Sequence, residues 1–384
     1  RSIWVTGVQT CALPISLLAP TRRTLINGIA HYDIAPRVRM FTEASFAHTE
    51  GVEQSEILAL AEPAVFNGPA LTFSVDNPFL TQQARDTLVA NGLTDFVMAR
   101  NLSDLLDRTP GTTEVDLYRI VAGFEGDFAS FGGETWSWDI AYNYGRSRGT
   151  SSLQFVNEER LLEAIDVIPD PDGSGQIVCA SGNADCVPLN LFGENNFSDA
   201  AADYVTDPSR GVSTNTLQMV TANLSGRLPF GISDPISFNV GFEHRRETAA
   251  FDPDALQESG VLLTGAGFGF EGISGFFETD EAYTELAIPV ISPEQDLPVV
   301  KSFSVEGAVR YVDHSLTDTA TTWSGGFRLA PRLPGWGDGL TLRGVFTHAI
   351  RSPAVTELFL GRSPVATGPI WRSEERRVGK ECRS

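Results

Sequence analysis

The sequence predicts an all-β chain: a transmembrane antiparallel β-barrel, present as an incomplete barrel. Three observations predict it. Large apolar residues alternate with small or polar ones over runs of roughly ten, whereas strands of soluble sheets average about five or six. One run, "ETWSWDIAYNYGRS" at 134–147, sets Trp136, Trp138, Ile140, Tyr142 and Tyr144 at every second position, hence on one face. The opposite faces carry charge, with Glu243 and Arg245 in one strand and Glu306 and Arg310 in another. Such groups are costly in a dry core and comfortable against a wet lumen.

In chain order, residues 25–50 read as a turn region feeding a strand. Residues 51–115 are polar, turn-rich and partly helical, with Asn77-Pro78-Phe79 as a turn signal. The strand at 116–128 opposes Tyr118, Ile120, Ala122 and Phe124 to Arg119, Gly123 and Glu125. The aromatic strand follows after a glycine-containing turn. Residues 152–215 form a long insertion, with a short helix expected at 157–166. Strands resume at 216–228 and 236–247, the second opposing Ile236, Phe238, Val240 and Phe242 to Ser237, Asn239, Gly241 and Glu243. A further polar insertion, 248–275, precedes strands at 280–290, 300–315, 321–331 and 340–350. Within 300–315, Phe303, Val305, Val309 and Tyr311 oppose Ser304, Glu306, Ala308 and Arg310. Short turns ("SPEQDLP", "RLPGWGDG") thus alternate with long excursions, as in membrane barrels, and about 9–11 tilted residues suffice to cross a bilayer. The aromatic faces are expected to meet membrane lipid.

Composition narrows the function. The chain has 49 acidic against 28 basic residues, a net charge of −21, which argues against nucleic-acid binding. It has no apolar run long enough for a transmembrane helix, which leaves a barrel open because each of its strands shows only one apolar face. "GFGFEG" (267–272) fits a dinucleotide pattern by letter, but no helical face follows it. The five histidines have no metal-ligand spacing, and "DPDGSG" (170–175) lacks the terminal glutamate of a calcium loop. No cofactor and no catalytic or metal residue is expected. The ends, 1–16 and 372–384, differ in style from the middle and read as artefactual, adaptor-like sequence. Setting them aside leaves Cys179 and Cys186 of the 4 cysteines.

Several blocks, "EAYTELAIPV" (281–290), "FSVEGAVRYVDHS" (303–315), "WSGGFRLAPRLP" (323–334) and "LTLRGVFTHAIRSPAVTELF" (340–359), resemble the barrel of TonB-dependent outer-membrane receptors. "VCASGNADCVPLNLFG" (178–193) resembles a cysteine-bearing extracellular loop of one branch. The resemblance implies a receptor segment, 17–371, from the central part of a roughly 22-stranded, plugged barrel. It places long extracellular loops at about 51–115, 152–215 and 248–275. It implies uptake of a scarce nutrient, most often a ferric siderophore. Energy would come from the TonB-ExbB-ExbD complex, acting through an N-terminal plug region with a TonB box, neither of which is found before residue 25. Outer-membrane lipid and a small-molecule chelate or nutrient are the other partners. Glu281, Tyr283, Glu285, Arg310, Arg351, Pro353 and Glu357 fall in the family-like blocks as structural residues. Pro353 is expected to end a strand ladder, and Glu357 to pair with Arg351 or Arg343. Cys179 and Cys186 enclose six residues, and export through an oxidising compartment favours their disulfide over free thiols or a zinc site. Carboxylates crowd the expected loops and arginines there are sparse, which favours a neutral or cationic substrate. Two other function classes compete: a non-transporting remnant or structural barrel, and a soluble β-rich carbohydrate binder. A lipid-facing register should recur on every strand, whereas sugar-stacking rings would cluster in one cleft.

Overall fold

Ten long strands form the wall. The computed structural model describes residues 20–53, 59–60, 71–106, 108–263, 270–333, 335 and 339–359. In chain order the strands are β1 (Thr21–Ala35), β2 (Val38–Glu53), β3 (Gly111–Ala129), β4 (Thr135–Asn157) and β5 (Thr206–Leu228). They continue with β6 (Ile236–Pro253), β7 (Ile273–Ile291), β8 (Val300–His314), β9 (Ala320–Pro331) and β10 (Leu342–His348). Each pairs antiparallel with its chain neighbours, and the sheet is open, with β1 and β10 at its edges. Short connections at 36–37, 130–134, 229–235, 292–299 and 332–341 lie at one end of the strands. The long connections, 54–110, 158–205 and 254–272, lie at the other end, together with the turn at 315–319.

Register decides which residues share a face, because directly opposed residues in a sheet point the same way. One row runs Met40, Phe124, Ile140, Ala222, Phe242, Ala282, Tyr311 across seven strands. All four apolar alternations read from the sequence therefore lie on the same face. That face stays exposed: Ile140 is 44% and Phe242 is 44% accessible. A soluble sheet would cover such a face; this one has rings at its surface. Trp136 lies across Gly226, where a Cβ would sit 2.4 Å from the indole, and its N–H donates to the Arg227 carbonyl at 2.9 Å. Phe128 and Phe238 pack edge-on to the same indole.

The structure corrects several expected boundaries. Residues 25–50 hold two strands, β1 and β2, because Pro36 sets a two-residue turn. The 152–215 insertion is shorter than expected. β4 continues to Asn157 and β5 begins at Thr206, with Ser152–Val156 laddered to Thr206–Arg210. Likewise β6 reaches Pro253 and β7 begins at Ile273. Beyond the apolar band neither face meets lipid, so the backbone ladder persists while side-chain alternation fades. β10 ends at His348, so Ala349, Ile350 and Pro353 lie outside the ladder that Pro353 was expected to end. The terminal segments 1–16 and 372–384, and the first half of "GFGFEG" (267–269), lie outside the described residues.

Among the described residues, the larger buried apolar cluster is in the long connections. Leu71, Phe73, Leu102, Leu105, Leu161, Leu189 and Leu191 are buried together there, with Val156 from the end of β4 and Val205 from the helix that leads into β5. Among the described residues the α-helices are α1 (Gln82–Ala90), α2 (Ser103–Leu106), α3 (Glu158–Ile165), α4 (Asp199–Val205), α5 (Ala255–Ser259) and α6 (Val355–Leu358). The expected helix at 157–166 is α3. Asn157 caps it by accepting from the Arg160 N–H at 3.2 Å, and Ser198 does the same for α4 from Ala201.

Candidate functional site

The face opposite the apolar one carries the chemistry. One residue along from the apolar row, the register reads Arg39, Glu125, Asp139, Asn223, Gly241, Tyr283, Arg310. Strand periodicity produces this, because the residue beside each outward position points inward. The row is bonded in two stretches, Arg39 to Glu125 and Asp139 to Arg310. Arg39 pairs with Asp33 at 2.9 Å and Glu125 at 3.4 Å. The Asn223 amide donates to Asp139 at 3.0 Å, and the Tyr283 hydroxyl donates to Asn223 Oδ1 at 2.5 Å. The Tyr283 ring lies over Gly241, where a Cβ would stand 2.3 Å from its Cζ; only glycine allows that approach. The Arg310 guanidinium in turn stacks on the Tyr283 ring, 4.6 Å from the centroid.

The adjacent row sets Glu243 directly opposite Glu281. Like charges facing each other across strands are destabilising unless cations are shared. Both carboxylates are buried, and two arginines serve them. Arg310 contacts Glu281 at 2.8 Å and Glu243 at 3.8 Å, and Arg245 contacts Glu243 at 2.5 Å and Glu247 at 3.4 Å. The Thr279 hydroxyl adds a bond to Glu281 at 3.2 Å. Glu285 lies two residues beyond Tyr283 and lines, with Asn239, Arg310 and Thr322, a groove of about 430 Å³.

Of the expected residues, Glu281, Tyr283, Glu285 and Arg310 thus come together on one wall. Arg351, Pro353 and Glu357 form a second group. Arg351 grips Glu357 with two bonds of 2.9 Å, and Glu357 also accepts from the Ala354 N–H at 2.8 Å. The arginine beside it, then that N–H, holds the Glu357 carboxyl below its ordinary pKa. This clasp shapes α6, whose Val355 packs on Ala249 and Phe277 of the polar face. Phe359 covers Gly275, where a Cβ would fall 2.3 Å from the ring.

Cys179 and Cys186 are disulfide-bonded. Around them, Glu163 accepts from Ser181 at 2.7 Å, from Asn183 at 3.1 Å and from the Tyr204 hydroxyl at 2.5 Å. Those three donors, led by Tyr204, lower the Glu163 pKa. Burial, then the Glu163 acceptor, pushes Tyr204 up to about 12. Asp170, in the calcium-like stretch, accepts from the Ser174 hydroxyl and the Asp172 N–H, and its pKa is lowered by them. That loop is a self-bonded turn. Sequence reasoning put Glu243 on the polar face but did not set it opposite Glu281, nor did it join Asn223 to Asp139. Those pairings were available only through register, since their members come from separate strands.

A sheet with one face of exposed rings and the other of paired charges, its strands long enough to cross a bilayer, is the wall of a membrane β-barrel. The family model "TonB dependent receptor-like, beta-barrel" matches residues 65–373, and the chain belongs to that family. No curated protein matches the sequence. The family acts in TonB-dependent transport across the bacterial outer membrane; its members are transporters, not enzymes. A TonB complex and a small-molecule substrate come with that activity. β1 and β2 precede the matched region and extend the same sheet.

Proposed function

We propose that this chain supplies barrel wall and substrate-receiving loops to an importer of a ferric siderophore of neutral or cationic type. The long connections face the cell exterior, as long barrel loops do, and the short turns face the periplasm. The packed long connections form a cap over one end of the wall, and the observation that carries the substrate reading is how that cap uses its arginines. Arg100 binds Asp104 and the Leu191 carbonyl, Arg108 binds Asp199, and Arg160 binds Asp207 at 3.0 Å. Arg85 donates to the Asn77 carbonyl at 3.2 Å. These guanidinium groups are committed to holding the cap, while Glu158, Glu159, Asp172, Asp185 and Asp203 add negative charge to the same connections. Capture of a multiply anionic chelate calls for convergent, available arginines. The lumen wall below fits the same reading, because Arg245 and Arg310 are neutralised by Glu243, Glu247 and Glu281.

Iron-starved cells that depend on this receptor test the proposal directly. Uptake of a hydroxamate-type ferric chelate is expected to exceed uptake of ferric citrate. Faster uptake of the citrate complex, lost on replacing the cap arginines, refutes the charge argument. Equal indifference to all iron chelates, with growth on another scarce nutrient, refutes the siderophore assignment.

A further inference from the structure

The outward face changes character at a sharp contour. Going from the short-turn end toward the long connections, its residues on β4 are Trp136, Trp138, Ile140, Tyr142 and Tyr144, followed by Arg146 and Arg148. On β2 the same face passes from Phe46 to His48 and Glu50, and on β3 from Tyr118 to Asp116 and Glu114. On β6 it passes from Phe242 to His244 and Arg246, and on β7 from Ala282 to Asp280 and Glu278. The apolar band is about 27 Å long along β4 at the strand rise, or roughly 20 Å of thickness at the usual barrel tilt. The charged contour thus lies where the hydrocarbon ends and the headgroups of one leaflet begin.

Many of the charges on this contour are mutually satisfied. His48 bonds Asp116 at 2.8 Å and Glu50 at 3.1 Å, and His244 bonds Asp280 at 2.8 Å. Arg246 pairs with Glu278 at 2.7 Å and lies 4.1 Å over the Phe276 ring. Arg146 and Arg148 differ. Both are exposed, and among the described residues neither has an ion pair. The carboxylate opposite Arg148 in the register is Asp116, already held by His48. On the other side, Thr216 and Thr214 stand opposite Arg146 and Arg148. The two guanidinium groups, two residues apart on one face, have Cα atoms about 7 Å apart. Below them lie the rings of Tyr118 and Tyr144. Two unpaired planar forks ringed by hydroxyls, at headgroup height on the lipid side, suit a phosphate attached to an acyl-chain body.

We propose that Arg146 and Arg148 form a binding site for a phosphorylated glycolipid headgroup of the outer leaflet. The site rests on the orientation proposed above, with the long connections outward. The acyl chains lie along Tyr142, Ile140 and Phe124, and the phosphate bridges the two guanidinium groups with Thr214 and Thr216 donating beside them.

The test uses the full chain folded in detergent micelles, with native mass spectrometry reading retained lipid. The probes are diphosphorylated lipid A, the same glycolipid stripped of its phosphates, and inorganic phosphate. The diphosphorylated form is expected to be retained selectively. Arg146→Gln with Arg148→Gln should cut retention at least about tenfold, in line with the loss of charge-assisted bonds. The corresponding double lysine variant should recover part of it, because charge returns without the fork. Arg332→Gln, at the short-turn end, should change nothing. Equal retention of the stripped glycolipid, or undiminished retention by the double glutamine variant, overturns the site. Displacement of the lipid by equimolar inorganic phosphate overturns the lipid assignment. Failure of the barrel reading itself looks different: the wild-type chain then shows no heat-modifiable mobility and takes up no lipid of any kind.

Discussion

Ile140 is the most discriminating position in the wall. It lies four residues from Trp136 and four from Tyr144, between Phe124 and Ala222 on the flanking strands. That is about 13 Å along the strand from each ring, or roughly 10 Å of depth either way. Ile140→Arg therefore puts a guanidinium near the bilayer midplane, where it costs about 2–4 kcal/mol. Tyr144→Arg, at the rim of the band, should cost only about 0–1 kcal/mol. The inward control is best placed at Ser137, which is exposed and faces Asp127 and Ser225 across the neighbouring strands. Ser137→Arg should be near neutral. Asp139, though also inward, is a poor control because it holds the Asn223 amide. Denaturant titration in lipid vesicles, followed by tryptophan fluorescence, gives the three values. Equal destabilisation by Ile140→Arg and Ser137→Arg refutes the assignment of faces.

Three further outcomes follow from the inward wall and the cap. Arg310→Ala leaves Glu281 and Glu243 buried and facing each other. It should destabilise the wall by about 1–3 kcal/mol in the same titration, discounted for the partial exposure of Arg310. Glu281→Gln in that background should recover part of the loss. Replacing Cys179 and Cys186 by serine should cost the cap about 2.5 kcal/mol, from a loop closed over a separation of 7, and speed proteolysis within 158–205 while leaving strand content unchanged. The cap should also have two pH limits. Glu163 is lowered, so its contribution is complete above the ordinary carboxylate range and fades as pH falls through its depressed value. Tyr204 is raised, so its contribution is complete below the ordinary tyrosine range and is lost as pH rises through about 12. Protease protection across pH should show both limits, and Tyr204→Phe should erase the alkaline one.

The wall was legible because lipid imposes a strict period. On 118–124, 136–144, 236–242 and 303–311 one face must be apolar, and the register sets all four on that face. The ladder beyond the band was not legible. Residues 206–215 pair with β4 mainly through the backbone ladder, and Arg210, Ser213 and Asn215 carry no alternation to reveal it. Residues 25–35 were hard for a related reason, since edge strand β1 has Leu25 and Ile29 on the inward face as well as Ile26 and Tyr32 on the outward one. The helix at Glu158–Ile165 could be read because its cap and period are local. The cap's core could not. Leu102, Leu105, Leu161, Leu189 and Leu191 come from two connections separated by the whole β3–β4 hairpin, and nothing local in either connection points to the other.

That core has a consequence for how the protein is made. The wall gains its apolar stabilisation from the bilayer, while the cap gains its own from side chains meeting in water. These are separate cooperative units joined at Val156 and Val205, and native-state hydrogen exchange should resolve them as such. The Cys179–Cys186 loop can close before either unit forms, because its ends are near neighbours in the chain. The 71–106 half must wait until the β3–β4 hairpin brings it to α3 and α4. Assembly of the cap therefore runs from a locally stapled loop, to a paired β3–β4 hairpin, to a closed cluster, and a chain halted between the last two steps would leave a surface of leucines uncovered.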